Sequence, residues 1–267
     1  MPDPILSHHA IGDDRARSWM LVLHGIYGAG RNWATFARSL NDARPDWGQI
    51  LVDLRLHGHS RGFEPPHTLT ACVHDLVALS GSLDPVPTVV LGHSFGGKLA
   101  LLSARALRPR QVWVIDSTPS RRSPQGSAYR MLGVLRRLPT VFPDRGAAVA
   151  ALQGEGFEAQ VASWMATNLE IGRDGYRWKF AVDDIEALLD DFFRTDAWDI
   201  LERPPAGTSV HMIRAADSSV MTEAEAERAA TVHVATSVDT LPGGHWLHVD
   251  NPSGLLAFLA EKLPSHE

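Results

Sequence analysis

Short, continuous apolar runs recur along the chain and alternate with longer segments of helical periodicity. The runs are rich in Val, Ile and Leu, and they end at glycines or polar turns. They occupy residues 19–25, 49–55, 87–94, 111–117, 208–217 and 233–241. Apolar runs of this length are typical of parallel strands buried on both faces of a sheet. The alternation therefore predicts an α/β fold with a mostly parallel central sheet flanked by helices.

The helical segments divide the chain into an alternating part and an inserted part. In the alternating part they occupy residues 33–41, 69–82, 95–108, 222–230 and 252–263. From about Pro119 to Pro205 the strand pattern disappears, and helical patterns follow one another at residues 127–138, 156–170 and 182–194. We therefore expect one α/β core domain made of residues 1–118 and 206–267, with residues 119–205 inserted as a helical cap.

Composition makes a small molecule the expected partner. The 267 residues are 44% hydrophobic and 21% charged, with a formal net charge of -6 and a pI near 6.1. This charge provides no electrostatic attraction for nucleic acid or an anionic membrane surface. Neither class of partner is therefore expected.

The chain shows no sign of export or of a membrane span. Its apolar runs are too short to cross a bilayer, and its first residues lack the features of a signal peptide. Cys72 is the only cysteine, so an intrachain disulfide is not possible. We expect a cytoplasmic protein.

Residues 92–100, GHSFGGKLA, fit two chemistries by spacing alone. A phosphate-binding P-loop needs Ser or Thr directly after its lysine to coordinate magnesium, but Leu99 stands there. A nucleophile elbow needs small residues around a serine at a sharp strand-to-helix turn, and Gly92, Gly96 and Gly97 meet this need. The pattern favours Ser94 as a nucleophile, with a helix N-cap as the purely structural alternative.

A nucleophilic serine needs an imidazole to take its proton and a carboxylate to orient that imidazole. His245 lies in a Gly-rich loop between the last strand and the last helix, where the chain order Ser, acid, His places the base. His248 is the alternative, at the start of the next helical segment. Asp116 and Asp217 end neighbouring strands, and because such ends lie about 5 Å apart, either carboxylate can reach His245.

Four motifs in order support one family. They are HGIYGAGRNW at 24–33, DLRLHGHS at 53–60, GHSFGGK at 92–98 and GGHW at 243–246. These motifs resemble the HG loop, the D-x-R-x-H-G-x-S loop, the nucleophile elbow and the histidine loop of the α/β-hydrolase superfamily. With VIDSTP at 114–119 and GYRWKF at 175–180, the GHSxGGK elbow is most similar to small carboxylesterases and acyl-ester or thioester hydrolases.

This resemblance implies an α/β-hydrolase fold and a serine hydrolase that cleaves carboxylic esters or thioesters through an acyl-enzyme, without a cofactor. It implies Ser94 as nucleophile and His245 as general base, with the backbone N–H groups of Ile26 and Phe95 as oxyanion donors.

For the acid the resemblance leaves two candidates. Asp116 has the position that the esterase branch uses, and Asp217 the position that most of the superfamily uses. The branch tends to carry Asn at the latter position, so Asp116 is preferred and Asp217 stays open.

Two other motifs do not predict a cofactor. Trp33 occupies the third glycine position of a dinucleotide fingerprint, so no nicotinamide is expected. The HGHSRG segment lacks the Asp-His pair of a zinc hydrolase, so no metal is expected. The alternative functions are carbon–carbon bond hydrolysis or a lyase step with the same triad, and a ligand receptor built on the hydrolase fold.

Residue types in the predicted cap bear on the substrate. Its aromatic residues are expected to pack the cap and to form an apolar acyl pocket. Five arginines near its start indicate either a solvated surface or attraction of an anionic substrate. They are Arg121, Arg122, Arg130, Arg136 and Arg137.

Overall fold

The computed structural model describes residues 5–265 and contains a seven-stranded central sheet. In chain order the strands are β1 (His8–Ile11), β2 (Ser18–Leu23), β3 (Trp47–Val52), β4 (Val89–His93), β5 (Gln111–Ile115), β6 (Leu169–Gly172), β7 (Gly175–Trp178), β8 (Ser209–Ala215) and β9 (Thr236–Leu241). The central sheet has the order β1-β3-β2-β4-β5-β8-β9. Only β1 is antiparallel to its neighbour β3; the other pairs are parallel. The predicted parallel sheet is confirmed.

Helices cover both faces of this sheet. They are α1 (Ala34–Ala43), α2 (Leu69–Ser82), α3 (Phe95–Leu107), α4 (Ser127–Leu135), α5 (Arg145–Gly154), α6 (Ala159–Ala166), α7 (Val182–Arg194), α8 (Trp198–Glu202), α9 (Glu223–Val232), α10 (Leu247–Asp250) and α11 (Pro252–Lys262). A short 3₁₀ helix, Gly30–Trp33, precedes α1.

Alternation along β2 shows how the two layers form. Met20 and Val22 pack in the cluster that contains α1 and α11. Leu21 and Leu23 pack in the opposite cluster with α2 and α3. Because successive side chains of a strand point to opposite faces, a fully apolar strand buries both faces. Polar side chains that could take part in a reaction are therefore expected at the carboxyl ends of the parallel strands, which meet at one edge of the sheet.

The segment between β5 and β8 contains α4 to α8 and a hairpin of β6 and β7. The expectation of a purely helical cap is wrong here, because the helix predicted at 156–170 ends at Ala166 and the chain turns into the hairpin. A two-residue connection between Gly172 and Gly175 makes this turn, and Gly175 has a φ of +134°, which favours glycine. The boundaries 119–205 stay a prediction.

Candidate active site

Ser94 forms the sharp turn between β4 and α3. Its φ of 54° and ψ of -117° are rare for a residue with a side chain. Its N–H donates to the Ile115 carbonyl oxygen at 2.9 Å, and its own carbonyl accepts from the Gly97 N–H at 2.9 Å. Ser94 stands at the N-cap of α3, yet its side chain makes no capping hydrogen bond. The hydroxyl is therefore left for another partner.

Three glycines let this turn press against its neighbours. A Cβ atom at Gly92 would overlap the Gly96 carbonyl oxygen. One at Gly96 would lie 2.5 Å from the carbonyl oxygen of Leu23, and one at Gly97 would lie 2.6 Å from Cβ of Ser117. These contacts are with backbone or with short side chains, so they offer little room for adjustment. The small residues expected around Ser94 are a steric requirement of the turn.

His245 lies between the serine and a carboxylate. Its Nε2 is 3.0 Å from Oγ of Ser94, and its Nδ1 is 2.6 Å from Oδ2 of Asp116. Because a carboxylate only accepts, Nδ1 carries the proton of the neutral ring and Nε2 can accept the serine proton. The ends of β4 and β5 and the loop after β9 thus bring together three groups from distant parts of the chain.

Burial and hydrogen bonds fix the Asp116 side chain. It is 0% exposed, and its Oδ1 accepts the Ala215 N–H at 3.2 Å. Its backbone N–H donates to the Ile213 carbonyl oxygen at 2.7 Å, and its φ is +42°. The carboxylate is therefore held on β8 while its second oxygen orients His245.

Asp217 lies elsewhere. It is exposed, two residues beyond β8, in a turn closed by the Ser218 N–H and the Ala215 carbonyl oxygen at 3.2 Å. Its side chain makes no hydrogen bond or ion pair within residues 5–265. Of the two acid candidates, the structure brings only Asp116 to His245.

Two further histidines border His245. His93 Nε2–H donates to the His245 carbonyl oxygen at 2.7 Å, and burial keeps the pKa of His93 well below its usual value. The His248 ring stacks on Trp33 with centroids 4.2 Å apart, and burial lowers its pKa to about 4. Within the described residues His248 contacts neither Ser94 nor Asp116 through a hydrogen bond. No function was predicted for His93, because a side-chain contact with the backbone of a distant residue leaves no pattern in the sequence.

The expected oxyanion donors have no acceptor in the described residues. Neither the Ile26 nor the Phe95 N–H makes a hydrogen bond there. Ile26 lines the cavity above Ser94, and Phe95 is the first residue of α3, where helix N–H groups have no partner within the helix. Free N–H groups beside a nucleophile can stabilise a developing negative charge.

Two buried, neutral histidines form hydrogen bonds that hold the HG loop. His24 Nδ1–H donates to the Gly25 carbonyl oxygen at 2.7 Å, and its Nε2 accepts from the Leu54 N–H at 3.0 Å. His57 Nε2 accepts from the Tyr27 N–H at 3.1 Å. Burial lowers the pKa of His24 to about 4 and that of His57 to about 3, so both rings stay neutral and keep these roles.

The lysine of the elbow motif faces away from the serine. Lys98 is fully buried, and its Nζ donates to the carbonyl oxygens of Ser120, Phe192 and Thr195 at 2.9, 2.8 and 3.0 Å. Burial lowers the pKa of this amine to about 7. Lys98 therefore joins α3 to the segment between β5 and β8.

A cavity of about 440 Å³ opens above Ser94. The core and the segment between β5 and β8 each contribute walls, which are largely apolar. The large apolar residues are Ile26, Tyr27, Trp33, Met131, Phe157, Val161, Trp164, Trp246 and Val249. Such walls suit a hydrophobic group, whose transfer from water is favourable by about 25 cal/mol per Å².

Four of the five arginines near the predicted cap's start already have partners. Arg122, Arg136 and Arg137 form ion pairs with glutamates. Arg130 donates to the Glu155 carbonyl oxygen at 2.8 Å, lies 4.6 Å from the centroid of the Phe157 ring and lines the cavity. The pairing favours a structural function for most of the cluster.

Residues 5–265 contain no group of three or more His, Cys, Asp or Glu side chains placed to hold a metal ion. No helix in this part of the chain is long and apolar enough to cross a membrane.

Comparisons with known proteins place the chain in a family. The model of the alpha/beta hydrolase family matches residues 20–258. The sn-1-specific diacylglycerol lipase ABHD11 of Mus musculus is 26% identical over 261 residues, which cover 94% of this chain and 82% of that protein. A putative esterase/lipase of Haemophilus influenzae is 24% identical, over 87% of this chain and 78% of its own. A marine microorganism esterase superposes with a TM-score of 0.84 at 23% identity, over 97% of this chain and 99% of that one. The chain belongs to the alpha/beta hydrolase family.

Proposed function

We propose that this protein is a serine hydrolase that cleaves carboxylic esters or thioesters through an acyl-enzyme. The observation that carries the proposal is the continuous contact from Asp116 through His245 to Ser94, with distances of 2.6 and 3.0 Å. This arrangement has the geometry of a nucleophile, its base and the group that orients the base. The similarity to a diacylglycerol lipase and to a putative esterase/lipase supports ester hydrolysis.

The first half-reaction transfers the acyl group to the protein. His245 Nε2 takes the proton of Ser94 while Oγ attacks the carbonyl carbon, and Asp116 stabilises the resulting imidazolium. The N–H groups of Ile26 and Phe95 donate hydrogen bonds to the negatively charged carbonyl oxygen; loss of one such donor typically costs about 3 kcal/mol. The carbon–oxygen or carbon–sulfur bond then breaks, and His245 gives its proton to the leaving alcohol or thiol.

The second half-reaction restores the serine. Water takes the place of the leaving group, His245 accepts one of its protons, and the hydroxide oxygen attacks the acyl carbon. The same two N–H groups again donate hydrogen bonds to the negatively charged oxygen. Breakdown of this intermediate releases the carboxylic acid, and the proton returns from His245 to Ser94.

We further infer that residues 119–205 act as a cap. Met131, Phe157, Val161 and Trp164 of this segment line the cavity, where they would exclude water and contact the acyl group. We expect a preference for acyl chains of moderate length or for compact aromatic esters. Equal turnover of all chain lengths would contradict this part of the proposal.

A labelling experiment tests the function. A fluorophosphonate should modify the wild type and Ser127→Ala, but not Ser94→Ala. Ser127 is the matched control because it also lines the cavity. Product analysis with esters, thioesters and a diketone then defines the reaction. Ester hydrolysis retained by Ser94→Ala would contradict the mechanism, and faster diketone cleavage would favour the carbon–carbon bond hydrolase.

A further inference from the structure

Tyr27 directly follows the proposed oxyanion donor Ile26 and has a left-handed backbone conformation. Its φ is +61°. For a residue with a side chain, this conformation costs on the order of 1 to 3 kcal/mol and persists only when its surroundings hold it. The contacts of Tyr27 therefore decide the shape of the loop that carries Ile26.

Three hydrogen bonds hold Tyr27, and they come from both parts of the molecule. Its N–H donates to His57 of the core at 3.1 Å. Its carbonyl oxygen accepts from Asn168 Nδ2 at 2.6 Å. Its hydroxyl donates to the Ala128 carbonyl oxygen at 2.9 Å. One side of the residue is thus fixed by the core, and the other by the segment between β5 and β8.

Asn168 is itself held firmly. The residue lies between α6 and β6 and is only 4% exposed. Its N–H donates to the Met165 carbonyl oxygen at 2.9 Å, and its carbonyl oxygen accepts from the Lys179 N–H at 2.9 Å. Because hydrogen bonds fix both the backbone N–H and the backbone carbonyl of Asn168, its side-chain NH₂ group has a defined position against Tyr27.

Neighbouring contacts between the same two parts are of another kind. Arg31 donates to the Thr167 carbonyl oxygen, and Arg61 pairs with Glu170, and both contacts are exposed. Exposed pairs of this type typically contribute about 1 kcal/mol or less. Neither reaches the HG loop backbone beside Ile26. The Asn168 contact is buried and ends one residue from the proposed oxyanion donor.

We propose that Asn168 is a positioning residue for the oxyanion hole. It fixes the Tyr27 carbonyl oxygen and, through the backbone of Tyr27, the orientation of the Ile26 N–H. The inference rests on the proposed function and adds to it: the inserted segment supplies part of the catalytic geometry as well as a cavity wall.

The test compares Asn168→Ala and Asn168→Asp with Arg61→Ala. The Asp variant keeps the side-chain shape, but its carboxylate cannot donate to Tyr27. The Arg61 variant removes a nearby contact between the same two parts. We measure kcat and KM for an ester, and the affinity for a trifluoromethyl ketone, which forms a tetrahedral oxyanion on the serine. Thermal unfolding reports whether each variant is folded.

Both Asn168 variants should lower kcat about 10- to 100-fold, with KM nearly unchanged. Their affinity for the ketone should fall by a similar factor. Arg61→Ala should stay within about threefold of the wild type on every measure. Wild-type affinity for the ketone in either folded Asn168 variant would overturn the proposal. A wild type that reacts with neither fluorophosphonate nor ketone would instead contradict the proposed function.

Discussion

The core rim and the surface of the inserted segment use polar groups in different ways. The core rim is the edge of the sheet that carries Ser94, Asp116 and His245, and the inserted segment lies between β5 and β8. At the rim a carboxylate is 0% exposed and accepts from a backbone N–H as well as from His245. In the inserted segment, exposed arginines such as Arg136 form ion pairs at the surface.

This difference suggests that the rim aligns the reacting groups and that the inserted segment shapes the cavity. Buried polar groups are costly to leave unpaired, so the rim has one well-defined arrangement that can be aligned for a reaction. Surface pairs contribute little and tolerate change, whereas the apolar side of the inserted segment shapes the cavity. Substitutions at the rim should therefore affect kcat, and most substitutions in the inserted segment should affect KM or selectivity.

The largest contrast is expected between His245→Ala and Trp164→Ala. Loss of the base should lower kcat by about 10⁴-fold or more. Loss of the Trp164 ring, which lines the cavity beside Trp246 with centroids 5.5 Å apart, should mainly raise KM and change the chain-length preference. His248→Ala is the control at the rim, with kcat expected within about tenfold. Steady-state kinetics with an ester series decides; equal losses in His245→Ala and His248→Ala would contradict the assignment of the base.

A second contrast concerns acid stability. Burial lowers the pKa of His24 and His248 to about 4, that of His57 to about 3, and that of His93 well below its usual value. The unfolded chain therefore binds more protons below about pH 6.5, so stability is full above that pH and falls as the pH drops. Each group can contribute up to about 3 kcal/mol of this loss by pH 4.5.

Residues 119–205 contain no histidine, so the loss should originate in the core. Urea unfolding between pH 7 and 4.5 measures it. His248→Phe should reduce the pH dependence of the free energy of unfolding by the contribution of one histidine. A free energy of unfolding that is constant over this pH range would contradict the neutral state of the four rings.

A smaller contrast concerns two glycines. At Gly96 an added Cβ meets the carbonyl oxygens of Leu23 and His24 at 2.5 and 2.6 Å, so Gly96→Ala should destabilise by about 1 to 3 kcal/mol. At Gly133 in α4 the nearest atom is the flexible Arg137 Nη1 at 3.8 Å, so Gly133→Ala should stabilise by about 0.5 to 1 kcal/mol. Thermal unfolding gives the two signs. An unchanged or raised stability of Gly96→Ala would contradict the steric requirement at the elbow.

Sequence patterns predicted the sheet core well and the periphery poorly. Continuous apolar runs locate β4 and β5 within a few residues, because a strand buried on both faces has an unmistakable pattern. β1 was missed because it has only four residues, three of them exposed. The β6–β7 hairpin was missed because four-residue strands are too short to establish a period of two, and helical periodicity continued into them.

The candidate site shows the same limit. Motif spacing predicted Ser94 and His245 as site residues, because the elbow and the histidine loop are each local in sequence. It could not separate Asp116 from Asp217, since both follow strands and only the path of the loop after β9 decides between them. Asn168 had no signal at all, because its partner Tyr27 is 141 residues away.

The most direct measurement compares kcat/KM and the fluorophosphonate labelling rate of Asp116→Asn and Asp217→Asn. In the proposed mechanism the orienting carboxylate is that of Asp116, at the end of β5. This assignment predicts a loss of about 10⁴-fold for Asp116→Asn and a change within about threefold for Asp217→Asn. Near-normal rates in Asp116→Asn, with a collapse in Asp217→Asn, would contradict it.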